Sequence, residues 1–169
     1  MNKCLIIIIY CCVAFSCKNH CETLGTKPDE QEVLLYSIEE GSTNNVTTKS
    51  HELVITNYKN HSFTSKELYN IAQKYLDTVP NRKLISRVQF FGQEVNGCMP
   101  DVKYSQKGLM KKAIIAFGFS NVFEIKENVK DIKLHDIFIY KDGKTTSYYH
   151  DDNNFDSLLN STVPLNNGD

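Results

Sequence analysis

The sequence predicts an α+β fold in which an antiparallel sheet packs against one main amphipathic helix at residues 64–79. Three observations lead to this fold class. A single apolar stripe with helical spacing runs through residues 61–80, several other segments are rich in β-branched and aromatic residues, and Asp142-Gly143 lies between two of them. A helix with one apolar face that lies across a sheet buries both surfaces in two layers. We expect a single domain over residues 33–160.

The helix is the clearest local feature of the chain. Its apolar residues recur at the spacing that places them on one helical face. These residues are Leu68, Ile71, Ala72, Tyr75, Leu76 and Val79. Thr64 and Glu67 have the spacing of a capping box, which predicts the first turn. Pro80 is expected to end the helix.

Strand-like segments lie on both sides of the helix. Residues 32–38 and 51–59 are β-branched and aromatic, and turn-forming residues separate them. Residues 83–92 alternate between apolar and polar side chains, which is typical of a half-buried strand. Asp142-Gly143 predicts a type I′ hairpin within residues 131–149, because both residues of that turn need a positive φ.

The segment 106–127 has features of both a helix and strands. We expect a helical turn at 105–111 and then two strands joined at Ser120-Asn121, since Gly118 and its β-branched and aromatic neighbours disfavour a continuous helix. The order strand, helix, strands resembles a cystatin-like arrangement. That resemblance concerns the fold alone and implies no function. The polar tail at 161–169 is expected to fray.

The N-terminal segment has the features of a signal peptide. One cation, Lys3, precedes the uncharged run Leu5–Phe15. As a helix this run would span roughly 16 Å, about half of the hydrocarbon core of a bilayer. It is therefore too short for a comfortable transmembrane helix and has the length of a signal peptide. Ala14 and Ser16 supply small residues at −3 and −1 for cleavage before Cys17.

The residues Ala14-Phe15-Ser16-Cys17 resemble the lipobox of bacterial lipoproteins. The usual pattern has Leu at −3, Ala or Ser at −2 and Gly or Ala at −1, so Phe15 is the largest departure. The resemblance implies that residues 1–16 are removed and that Cys17 carries a diacylglyceryl group that anchors the protein in a membrane. Ordinary secretion after cleavage and an uncleaved anchor are the alternatives.

Residues 17–32 are expected to form a flexible tether between the lipidated cysteine and the domain. They are polar, contain Gly25 and Pro28, and show no apolar periodicity. Lys18 occupies position +2, where an Asp would be similar to a known inner-membrane retention signal. The sequence therefore favours attachment to the outer membrane.

The cysteines do not have the spacing of a disulfide scaffold, although the chain contains six. Cys17 and three others lie in or beside the apolar leader. In an oxidising compartment Cys98 could pair with Cys21 on the tether, which would leave Cys17 free for lipid. Cys98 could equally be an unpaired thiol in the core.

Composition and motifs disfavour several functions. The formal net charge is −1 and no long run of Lys or Arg is present, so nucleic acid is not an expected partner. The sequence has no Gly-rich phosphate loop and no nucleophile motif, and we predict no catalytic residue and no cofactor.

No metal site is predicted from the sequence. The five histidines include no HExxH pair, and His135 alternates with Lys133 on the expected polar side of a strand. Asp152, Asn154 and Asp156 have the spacing of the first calcium-loop ligands. The calcium-loop pattern requires Gly at its sixth position and Glu at its twelfth, where this chain has Ser157 and Val163. We expect a polar turn that leads into a short helical turn.

The leading hypothesis is a lipid-anchored protein of the bacterial cell envelope with a binding or structural role, whose partner is an envelope or extracellular protein. The alternatives are a secreted or anchored enzyme with dispersed site residues, and an inhibitor or immunity-type protein. A deep pocket lined by two or more coupled His, Asp or Glu side chains would favour the enzyme, and a shallow face would favour binding.

Overall fold

The computed structural model describes residues 21–22, 30–43, 46–94, 97–100, 106–119, 133–150, 155–160 and 162–163. Within them the chain has an α+β fold. The strands are β1 (Cys21–Glu22), β2 (Val33–Thr43), β3 (Val46–Ile55), β4 (Ile85–Gly92), β5 (Met99–Pro100), β6 (Ala113–Phe119), β7 (Leu134–Lys141) and β8 (Lys144–His150). The helices are α1 (Ser65–Thr78), α2 (Gln106–Met110) and α3 (Phe155–Leu159). Six strands form one sheet in the order β2-β3-β4-β6-β7-β8, and β1 pairs with β5.

The large sheet is mixed, which corrects the prediction of a purely antiparallel sheet. β3 and β4 are parallel neighbours, whereas every other adjacent pair in the sheet as described is antiparallel. The chain segment between β3 and β4 contains α1. A helical crossover returns the chain to the end where the previous strand began, so the two strands it joins run in the same direction.

Helix α1 has the start that the sequence predicts. The backbone N–H of Glu67 donates to Oγ1 of Thr64, and the backbone N–H of Thr64 donates to the Glu67 carboxylate at 2.7 Å. This confirms the capping box. Leu68, Ala72 and Leu76 are at most 1% exposed. The helix therefore lays its apolar stripe on the sheet.

Both faces of the sheet centre are buried. On the α1 face, side chains of the central strands form the main core with the helix, including Leu53, Val88, Phe90 and Phe117. On the other face, residues of β5 and α2 pack on the strands in a second cluster of Val54, Phe91, Met99, Leu109, Ala113, Ala116 and Tyr140. The prediction of a half-buried strand at 83–92 is therefore wrong, because α2 and β5 cover its second face and leave Gln89 only 4% exposed.

The connection between β2 and β3 is shorter than predicted, whereas the turn between β7 and β8 agrees with the prediction. The segment predicted as a turn between the first two strands is mostly strand, since β2 continues to Thr43 and β3 starts at Val46. Asp142 and Gly143 have φ values of 51° and 77° and connect β7 to β8, which confirms the predicted turn. α2 and β6 occupy the predicted positions, and the strand expected after Ser120 lies outside the described residues.

Residues at both ends contact the domain where we expected free chain. In the predicted tether, Cys21–Glu22 pair with β5, and the backbone N–H of Thr56 donates to the carbonyl of Glu32 at 2.9 Å. In the predicted frayed tail, Val163 is fully buried and its N–H donates to the carbonyl of Phe63 at 2.9 Å. A buried apolar side chain and a backbone hydrogen bond hold this part of the tail on the core.

Candidate functional site

A groove of about 480 Å³ lies between the C-terminal half of α1 and the edge strand β2. Its walls also include the chain that follows the helix. The lining is mostly apolar and includes Leu35, Ile38, Val79, Pro80, Leu84 and Ile85. Asn81 also lines the groove. It lies in the turn after Pro80 and has a φ of 58°. The end of α1, the turn that follows it and the edge strand β2 together form an open apolar cleft.

The edge strand presents apolar side chains that α1 leaves partly uncovered. Val33, Leu35 and Ile38 are 37%, 49% and 46% exposed. They pair with Ile55, Leu53 and His51 of β3, whose side chains face the helix. A register shift between Leu35 and Ser37 inserts one extra residue. Because a bulge interrupts strict alternation, Leu35 and Ile38 can face the same side although three positions separate them.

A histidine and a tyrosine lie at the inner end of the groove. His51 is 3% exposed, and its Nδ1 lies 2.6 Å from the hydroxyl of Tyr75 on α1. The two rings meet edge to face at 5.7 Å. Burial and, to a smaller extent, the nearby charge of Lys49 lower the pKa of His51. The imidazole is therefore held neutral near pH 7.

The second ring nitrogen of His51 has no hydrogen-bond partner among the described residues. Nε2 is buried and makes no hydrogen bond within the part of the chain that the structure describes. Leaving a buried polar atom unpaired costs roughly 1–3 kcal/mol. An unpaired atom of this kind, in a side chain that lines a cleft, marks a position where a ligand can supply the missing hydrogen bond.

An ion pair lies at the rim of the groove. Nζ of Lys49 is 3.0 Å from Oε1 of Glu40, and the two side chains are 36% and 62% exposed. Lys49 also lines the groove. An exposed ion pair contributes little to stability, so its cation can exchange partners at low cost.

A second polar cluster lies on the paired strands β7 and β8. Its residues do not line the groove. Oδ1 of Asp136 lies 2.7 Å from Nδ1 of His150, and Oδ2 lies 3.2 Å from Nδ1 of His135. The hydroxyl of Tyr148 donates to Oδ1 of Asp136 at 3.0 Å. Burial raises the pKa of Asp136, but the hydrogen bonds from His150, His135 and Tyr148 outweigh it and lower the pKa overall.

Sequence reasoning missed this cluster because it depends on a bulge and on strand register. His135 was expected on the polar side of an alternating strand, as a solvated side chain. Asp136 pairs with Gly118 and Leu134 pairs with Phe119, so His135 is an extra residue that shares the side of Asp136. Asp136 is also the cross-strand partner of His150. The only hint in the sequence is the number of polar residues in the hairpin.

The predicted site residues fall on different parts of the structure. Cys17, the predicted lipid attachment site, lies outside the described residues, and so do Asp152 and Asn154 of the rejected calcium loop. Cys98 is disulfide-bonded, which excludes a free thiol there. The backbone of Cys21 pairs with Pro100, so the two predicted partners belong to neighbouring segments, and the pairing itself stays a prediction.

No protein-family model, no curated protein and no solved structure matches this chain. Across the described part of the chain, none of the helices has the length and apolar character needed to cross a bilayer. The features that bear on function are the groove, the polar cluster and the N-terminal sequence.

Proposed function

We propose that the protein is a lipoprotein of the bacterial cell envelope, anchored through Cys17, whose domain binds an amphipathic small molecule in the groove between α1 and β2. The observation that carries the binding function is that Nε2 of His51, a buried side chain in an apolar cleft, has no hydrogen-bond partner in the part of the chain that the structure describes. The apolar run before Cys17 supports the anchor.

The size and lining of the groove suit a small ligand. Ligand pockets commonly measure about 300–1,000 Å³ and combine mostly apolar walls with a few polar groups. The volume of about 480 Å³ and the apolar walls agree with that description. Leu35 and Ile38, which line the groove and are 49% and 46% exposed, would lose solvent-exposed apolar surface on binding, at roughly 25 cal/mol per Å².

The polar groups define the ligand's head. A neutral imidazole can donate or accept at Nε2, depending on whether Nδ1 carries the hydrogen toward Tyr75. Lys49 offers a cation at the rim. The ligand that fits has an apolar body and one head group that hydrogen-bonds His51, with an anionic oxygen within reach of Lys49.

The groove supports binding better than catalysis. Among the described residues that line it, His51 is the single His, Asp or Glu. General acid–base chemistry usually needs a second group that exchanges protons with the first or orients it. We therefore propose a carrier or sensor of the ligand. Lys18 at position +2 supports a location at the outer membrane.

The anchor is tested by replacing Cys17. Cys17→Ala should abolish incorporation of radiolabelled palmitate and move the protein from the membrane fraction to the soluble fraction. Cys12→Ala, in the predicted signal peptide, is the matched control and should keep both label and location. A Cys17→Ala protein that stays labelled and membrane-bound would contradict the anchor.

The groove is tested with 1-anilinonaphthalene-8-sulfonate, which combines an apolar body with an anionic head. Leu35→Ser and His51→Gln should each weaken its binding about fivefold or more in a fluorescence titration. Tyr148→Ser is the control, because Tyr148 is 53% exposed and does not line the groove. Equal affinities for all four proteins would show that the probe binds elsewhere and would contradict a groove ligand.

A further inference from the structure

We propose that His135, Asp136 and His150 form a binding site for one divalent first-row transition-metal ion, of which zinc is the reference case. One ligand atom from each side chain lies within 4.8 Å of the other two. The site is separate from the groove and independent of the proposed small-molecule binding.

The donor set determines the class of ion. Two imidazole nitrogens and one carboxylate oxygen suit Zn²⁺ and its transition-metal neighbours, whereas Ca²⁺ and Mg²⁺ prefer all-oxygen sites. Three protein ligands leave at least one position for water. Solvent can reach that position, since the His150 side chain is 54% exposed and those of His135 and Asp136 are 29% and 23% exposed.

The present distances are close to those of a metal site. Ligand atoms that share a tetrahedral zinc ion at bond lengths near 2.0–2.1 Å lie about 3.3 Å apart. The two histidine nitrogens lie 3.2 and 2.7 Å from the oxygens of Asp136. The histidine rings contact each other edge to face, with centroids 4.3 Å apart. Small side-chain rotations therefore suffice to bring the three groups around one ion.

Surrounding residues hold the carboxylate in place. The Tyr148 hydroxyl donates to Asp136, as supporting groups commonly do for carboxylate ligands. Gly118 leaves the room that Asp136 occupies, because a Cβ at position 118 would lie 2.9 Å from Cβ of Asp136. The bulge that places His135 beside Asp136 is also of a kind often found next to functional sites.

The test is a zinc titration of the full chain in competition with a chromophoric chelator. Free thiols are first alkylated with N-ethylmaleimide so that cysteines do not bind the ion. Wild-type protein should bind one equivalent of Zn²⁺. His150→Ala and Asp136→Asn should weaken binding at least tenfold, and Tyr148→Phe about tenfold, as expected for a supporting residue. Ca²⁺ at the same concentration should not compete.

His61→Ala is the matched control. His61 also lies near a carboxylate, with Nε2 at 3.8 Å from Oε1 of Glu67, but it has no second histidine within the described residues of that site. The affinity of the His61→Ala protein for zinc should equal that of wild type within twofold. Circular dichroism of His150→Ala, a substitution of a largely exposed side chain, checks folding. No saturable zinc binding, or equal binding by wild type and folded His150→Ala, would overturn the proposal.

Discussion

The hydroxyl of Tyr75 lies 2.6 Å from Nδ1 of His51, and this contact connects helix α1 to strand β3 at the inner end of the groove. It joins two residues that are 24 positions apart in the chain. Because His51 is buried, the contact satisfies one nitrogen that water cannot reach. The pair therefore joins a helix residue and a strand residue that both line the groove.

Removing the tyrosine hydroxyl should destabilise the domain. Tyr75→Phe leaves Nδ1 of His51 buried without a partner, which typically costs about 1–3 kcal/mol of unfolding free energy. The measurement is urea unfolding followed by circular dichroism. Tyr149→Phe is the control, since the hydroxyl of Tyr149 makes no hydrogen bond in the described structure, and it should change the unfolding free energy by less than about 0.5 kcal/mol. Equal losses in the two variants would contradict a specific role for the contact.

The protonation of His51 should make stability depend on pH. The folded pKa of His51 is lowered, so between the folded value and the unfolded value near 6.5 the unfolded state binds more protons. The contribution of His51 is complete above about pH 6.5 and is lost as the pH falls below that value. The raised pKa of Glu52, caused mainly by burial, acts in the opposite direction above about pH 4.5.

Comparing wild type with His51→Gln separates the two effects, because Glu52 is present in both proteins. The unfolding free energy of wild type should fall more steeply between pH 7.5 and 5.5 than that of His51→Gln. Urea unfolding at five pH values in this range gives both slopes. Identical slopes would show that His51 does not exchange protons differently in the two states.

Features that depend on neighbouring residues in the chain could be predicted from the sequence. The capping box joins Thr64 to Glu67, and the turn at Asp142-Gly143 needs only the φ preferences of its own residues. Both were predicted and both are present. The apolar stripe of α1 was predictable for the same reason, since its period reports one face of one helix.

Features that depend on which strands become neighbours could not be predicted. The parallel pairing of β3 with β4 follows from the path of the chain through α1, and no local pattern specifies it. The bulge at His135 breaks the alternation of side chains from which His135 was predicted to lie on the polar side of the strand. The contact between His51 and Tyr75 requires knowing that α1 lies beside β3. Both candidate sites are built from such long-range relationships.

Gly92 should tolerate no side chain, because Tyr58 approaches it closely. A Cβ at this position would lie 2.8 Å from Cδ1 of Tyr58, whose side chain is 2% exposed. Gly92→Ala should therefore lower the unfolding free energy by about 1–3 kcal/mol through overpacking. Gly41→Ala is the control, since the nearest atom to its added Cβ is Oγ1 of Thr48 at 3.4 Å. A loss as large in Gly41→Ala would point to backbone effects instead of the tyrosine ring.

The disulfide of Cys98 should connect it to Cys21. Cys98 is disulfide-bonded, and the pairing of Cys21 with Pro100 makes the two cysteines close neighbours along paired segments. Peptide mapping of the mature protein without reductant should give one cross-linked peptide containing both residues, and reductant should separate it. Because this bond closes a long loop, Cys21→Ser should lower the unfolding free energy by about 2–4 kcal/mol. In Cys98→Ser, reductant should no longer change the melting temperature. A cross-link from Cys98 to Cys17 would contradict both this pairing and the lipid anchor, because a thioether-linked lipid leaves no thiol at Cys17.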